Sequence, residues 1–197
     1  VIAIHTAPLA DINTTGDFIL TRILGRVAVP FFFAASGFFA VQKCGGRNKF
    51  KKFLAKTALI YAVSIVLYLP LNIINGYFSK DKLLPEIIRD LIFDGTYNHL
   101  WYLPASIIGA MIAWALIKKL DYTKTFIITG ILYFIGLLGD TYYGVASLTA
   151  PVNYFYELLF QIMDYTRNGL FYAPIFFVIG SYIADKKEKM IWFHVFS

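Results

Sequence analysis

The sequence predicts an all-α fold, a polytopic helical membrane protein. Three observations carry that prediction. Hydrophobic residues make up 58% of the chain and charged residues only 15%, against roughly 45–50% and about 25% in soluble domains. The apolar residues gather in runs of the length that crosses about 30 Å of hydrocarbon. Between the runs, basic and acidic residues fall into alternating loops. Backbone groups in lipid must bond within their own segment, so such runs read as helices.

The elements follow in order. Val1 to Pro8 reads as the outer end of a first helix, and the polar stretch Leu9 to Arg22 follows it. A second span is expected from Leu24 to Val41, then a basic loop with Lys43, Arg47, Lys49, Lys51 and Lys52. A third span covers Phe53 to Ile74. In the loop from Asn75 to His99, Leu83, Leu84, Ile87, Ile88, Leu91 and Ile92 recur at helical spacing, with Glu86, Arg89, Asp90 and Asp94 between them. This is an amphipathic helix, with Asp81 as its cap, lying on the membrane or on the protein's own loops. A fourth span runs from Leu100 to Ile117 and ends at Lys118-Lys119. A fifth spans Phe126 to Leu138 and breaks at Gly139-Asp140, and a second surface helix is expected from Val152 to Met163. A sixth covers Gly169 to Ala184; after Lys186, Lys187 and Lys189 a seventh begins near Met190. Both chain ends lie in apolar runs, so residues 1–197 read as one membrane domain, incomplete at both ends.

Charge sets the orientation. The loops after spans two, four and six hold the lysines, whereas the opposite loops hold Asp11, Asp17, Asp90, Asp94, Asp140 and Asp164. By the positive-inside rule the basic loops face the cytoplasm. The net charge of +6 therefore reads as topology, and not as a nucleic-acid surface. The lone Cys44 excludes an intrachain disulfide and a cysteine-cluster metal site. No Walker, Rossmann, HExxH or zinc spacing occurs, and no metal is expected. Ser36-Gly37 reads as helix packing, because no GxSxG elbow surrounds it.

Ionisable groups within or beside spans are functional candidates. His5 is either a general base or a histidine bonded between helices. Arg26, near the outer end of span two, can hold a carboxylate or phosphate through its planar fork. His99 and Trp101 open span four, where an interfacial role competes with substrate contact. Asp140, Arg167 and Asn168 border the same outer surface. Arg26, His99, Trp101, Asp140, Arg167 and Asn168 are the candidate substrate-binding residues.

Several strings carry a resemblance. VIAIHTAP is similar to the first-helix histidine segment of the acyltransferase-3 family. VAVPFFFAASGFF resembles its second helix, and HLWYLPA its later Trp-aromatic-Leu-Pro segment. YFIGLLGDTYYG and TRNGLFYAP resemble the membrane domain of vancomycin-resistance-type membrane serine racemases, which add a cytoplasmic racemase domain beyond it. The resemblance implies a bacterial plasma-membrane domain of about ten spans. It implies transfer of an acyl group, usually acetyl, from a cytoplasmic acyl-CoA (acetyl-CoA) to a hydroxyl on an envelope glycan or similar acceptor. His5 would then be the catalytic base, and Arg47, Lys51 and Lys52 would bind the donor's phosphates. The family's arginine-rich first inner loop is here mostly lysine, which lacks the bidentate fork. The alternative is a membrane domain that admits serine to a fused C-terminal racemase. Arg26 or Arg167 would then take the carboxylate, and Asp140 or Asp164 the ammonium.

Overall fold

The computed structural model describes residues 6–42, 46–79, 83–97 and 99–196, and all its regular elements are helical. His5, Lys43, Cys44 and Asp81 lie outside the described residues. The helices are α1 (Thr14–Ala40), α2 (Arg47–Ile74), α3 (Leu83–Arg89), α4 (Tyr102–Lys119), α5 (Tyr122–Gly139), α6 (Tyr143–Ala146), α7 (Ala150–Leu159) and α8 (Ala173–Phe196). Of these, α1, α2, α4 and α5 are long and apolar enough to cross a membrane.

Packing fixes the directions. Phe33 meets Tyr172, and further along Lys187 lies over the Phe38 ring, so α1 and α8 run parallel. Gly169 sits against Ala105 and Ala173 against Gly109, so α4 runs with them. The Tyr122 hydroxyl meets Ser181, whereas Gly139 sits on Thr166, so α5 runs the other way. Phe50 stacks on Trp114 and Tyr68 on Tyr97, which makes α2 antiparallel to α4. One end of the bundle thus holds the start of α2, the end of α4 and the late lysines of α8. The opposite end holds the acidic loops.

The core forms where α1, α4 and α8 meet, around Phe33, Ala105, Ala110, Ala113 and Phe177. Small residues permit the closeness: Gly37 lies against the Phe177 backbone, and Gly180 against that of Ala34. Elsewhere apolar side chains point outward, as Leu59, Val66 and Leu67 do on α2 and Ile127, Ile131 and Phe134 on α5. Lipid is the solvent such a surface requires.

Two span boundaries need correction. The second span starts at Thr14 and not Leu24, because Asn13 caps it through Gly16 N–H (2.8 Å) and the helix runs through the polar stretch. Within α1, residues Ile19–Leu24 form a π-helix and Gly25–Val27 a 3₁₀ turn. At the other end α8 passes through Lys186 and Lys187 unbroken, with no new span at Met190. Lysine is a good helix former whose stem can lie along apolar surface while its ammonium stays wet.

The amphipathic helix expected after α2 is α3 with the π-helical turn that follows it, Asp90–Asp94. Its apolar residues Leu84, Ile88 and Ile92 are exposed, while Asp90 is buried. The Tyr61 hydroxyl donates to the carbonyl of Leu91 at 3.1 Å. The segment docks through its charged face and offers its apolar face outward. The second surface helix, α7, ends at Leu159, short of Met163.

Candidate functional site

The end of the bundle opposite the lysines holds two neighbouring cavities. The first, of about 460 Å³, is bordered by Arg26, His99, Trp101, Asp140 and Arg167, with Tyr133 and Tyr172 among its walls. They come from four separate places in the chain. Arg26 sits in the 3₁₀ turn of α1. His99 and Trp101 precede α4, Asp140 ends α5, and Arg167 lies in the loop before α8.

That loop is held tightly. Thr166 and Asn168 are fully buried on either side of Arg167. Thr166 donates to the carbonyl of Gly136 at 2.7 Å. Asn168 Oδ1 accepts from the backbone N–H of Leu170 and Phe171, at 2.9 and 3.2 Å, and its amide donates to the Tyr165 carbonyl at 2.8 Å. Arg167 is therefore carried on a rigid turn. Its Nε lies 3.8 Å from Asp140 Oδ2, and its guanidinium stands 5.4 Å over the Trp101 ring. Trp101 is placed from the other side by Gly95, which has φ +77° and lies against the Trp101 backbone nitrogen. Only glycine occupies such a position without strain.

The second cavity, of about 510 Å³, shares Trp101 and Arg167 with the first. Its chemistry is acidic. Arg89 pairs with three carboxylates: Nη1 lies 3.0 Å from Asp164, and Nε lies 3.3 Å from Asp90 and 3.7 Å from Asp94. Tyr77 donates to Asp90 Oδ2 at 2.6 Å, and the Asp164 N–H to Asp94 Oδ2 at 2.9 Å. Burial pushes the Asp94 carboxyl up to about 6. The charges of Asp164 and Asp90 add to that rise, while the Asp164 N–H and Arg89 oppose it.

Residues 1–194 match the acyltransferase-3 family, whose description is an acyltransferase domain. The chain belongs to the acyltransferase-3 family. It is 57% identical over 191 residues to a protein named amino-acid racemase from Enterococcus faecalis, and 38% identical over 196 residues to a second of that name from the same organism. It is 33% identical over 195 residues to a serine/alanine racemase from Enterococcus gallinarum. Each alignment covers 96% of this chain but only 27–28% of the relative, so the chain spans little more than a quarter of their length. No solved structure matches it. Family, apolar helices and lipid-facing surface together make this an acyltransferase-like, multi-pass membrane domain.

Within this acyltransferase-3 domain, five of the six candidate substrate-binding residues border one cavity. Asn168 borders neither cavity, and its amide is spent on the turn that carries Arg167. Arg47, Lys51 and Lys52 are exposed at the start of α2, at the far end of the bundle. The Arg89–Asp90–Asp94 grouping was not legible as a site. Its residues read as the wet face of a surface helix, and only their facing Asp164, some seventy positions on, reveals the cluster.

Proposed function

We propose that this chain is the membrane part of a membrane-bound amino-acid racemase, and that its first cavity admits a free amino acid such as serine. The observation that carries the reading is one small cavity holding both signs of charge: Arg26 and Arg167 beside Asp140. A guanidinium grips a carboxylate through two parallel hydrogen bonds. Asp140 suits an ammonium. At 3.8 Å the Arg167–Asp140 pair is loose, and a zwitterion would replace it with one partner for each charge. The names of the relatives support an amino-acid ligand. By the positive-inside rule this cavity opens outward and the lysine-rich end faces the cytoplasm of a bacterial cell, where a fused racemase domain would receive the substrate. The vancomycin-resistance resemblance fits the same role.

The test is uptake of labelled serine into right-side-out vesicles containing the full-length protein. Arg26→Gln and Asp140→Asn should each weaken apparent affinity by about tenfold or more, as loss of a charged partner does. Wild-type vesicles that take up no more serine than empty ones, or variants equal to wild type, would sink the proposal.

Family membership favours a second reading, acyl transfer from a cytoplasmic acyl-CoA to an envelope hydroxyl with His5 as base. Arg47, Lys51 and Lys52 stand at the opposite end of the 28-residue α2, about 40 Å from its other end at 1.5 Å per residue. Inverted vesicles given labelled acetyl-CoA, with wild type beside His5→Ala, separate the readings. Label in an envelope acceptor that the substitution abolishes would favour acyl transfer.

A further inference from the structure

On the amino-acid reading of the first cavity, both charged ends of the ligand are provided for and its side chain remains to be placed. Val29, Gly136 and Leu137 offer it no side-chain hydrogen bond, and Thr141 is exposed. Tyr133, on α5, and Tyr172, immediately before α8, are half-buried and bring two phenols to the wall.

Four rings hold the Tyr172 ring. Its centroid lies 5.1 Å from that of Phe176, 5.7 Å from Tyr133, 6.2 Å from Phe33 and 6.4 Å from Trp101. Its backbone N–H donates to the Asn168 carbonyl at 3.1 Å, in the turn that carries Arg167. Tyr133 in turn meets Phe176 edge-on at 5.5 Å. Packing therefore sets both phenols, and their hydroxyls are not spent on it. Among the described residues, neither hydroxyl makes a hydrogen bond. The electrostatic neighbours of the Tyr172 hydroxyl are Tyr133, Arg167, Asp140 and Arg26. It thus faces the same charges that would hold the two ends of an amino acid. Phenol oxygens removed from bulk water usually find a partner, and the space left for one here is the cavity.

We infer, resting on that reading, that the Tyr133 and Tyr172 hydroxyls form the side-chain subsite and select a small hydroxylated amino acid, serine over alanine. A serine hydroxyl both donates and accepts, as a phenol does, so one contact satisfies both groups. Alanine brings a methyl to the same place and leaves the phenols without a partner once water is displaced. A site built to hydrogen-bond a hydroxyl rejects the analogue that lacks it for this reason. Groups already fixed by packing lose little freedom when the ligand enters, so the value of the contact is kept. A neutral hydrogen bond of this kind is worth a factor of about three to ten in affinity.

The experiment is equilibrium dialysis of labelled serine and of labelled alanine, each against the full-length protein in detergent. Wild type should bind serine about three- to tenfold more tightly than alanine. Tyr172→Phe keeps the ring and its packing and removes only the hydroxyl. It should weaken serine by about that factor and leave alanine unchanged. Tyr133→Phe should narrow the same preference, which keeps the test open where one variant fails to fold. Tyr154→Phe, at an exposed tyrosine on α7, should alter neither affinity. Equal binding of serine and alanine by wild type overturns the subsite. So does a Tyr172→Phe protein that loses both ligands equally or keeps the full preference. In each of those cases the amino-acid reading still stands. Binding of neither amino acid by wild type is the separate result that removes that reading, and the subsite with it.

Discussion

Two helical glycines predict opposite responses to the same methyl group. At Gly180 an added Cβ would stand 1.8 Å from the carbonyl oxygen of Ala34 and 2.7 Å from the Phe38 nitrogen. At Gly130 it would meet nothing within 4 Å. Carbon needs about 3.5 Å from its neighbours, so Gly180→Ala must push α1 from α8 by roughly 1.5 Å. The obstructing atoms are backbone, which no rotamer change can move aside. Overpacking of this kind costs about 1–3 kcal/mol, and a backbone clash belongs at the upper end. Alanine's better helix propensity returns about 1 kcal/mol. The net expectation is destabilisation by about 2 kcal/mol for Gly180→Ala and stabilisation by up to about 1 kcal/mol for Gly130→Ala. Thermal unfolding of both variants and wild type in one detergent measures the contrast. Gly180→Ala unfolding with Gly130→Ala, or above wild type, would refute the packing argument for the α1–α8 interface.

Other expectations are as direct. Because Asp94 titrates near 6 in the fold and at 3.8 ordinarily, the folded state binds the extra proton. Its contribution is then full below about pH 4 and is lost as pH rises toward about 6. The Tm should fall over that window by an amount worth at most about 3 kcal/mol. Asp94→Asn should flatten the slope, and an unchanged slope would count against the buried carboxyl. Gly95→Ala adds a Cβ 2.5 Å from the Trp101 nitrogen at a φ of +77°, so about 2 kcal/mol of stability should be lost. Quenching of tryptophan fluorescence by acrylamide should report a displaced Trp101. Finally, with Cys44 replaced, a cysteine at Lys51 should resist a membrane-impermeant thiol reagent in intact cells and one at Thr141 should react. The reverse pattern would invert the topology.

Hydropathy and charge alternation were enough to read the long helices, because the bilayer leaves few choices for runs such as Tyr122–Gly139. The same alternation put Arg26, His99, Asp140 and Arg167 toward one side, and the structure brings them to one cavity. What alternation cannot say is which face of an amphipathic helix docks. Leu84 and Ile88 were as suited to a protein core as to lipid, and only the partners Tyr61 and Asp164 turn the acids inward. The lysines near the end of α8 misled for a related reason. Their charge reads as a loop, yet a helix tolerates them when their tips reach water.

The join inside α1 has a further consequence. A π-turn holds more residues per turn than an α-helix and a 3₁₀ turn holds fewer, so the stretch Ile19–Val27 is where the count of residues and the angle of the helix are decoupled. Deleting one residue there would turn Thr14–Phe18 by about 100° and draw it in by about 1.5 Å, while Phe33 and Gly37 stayed seated on α8. The residue that this join carries to the wall of the first cavity is Arg26.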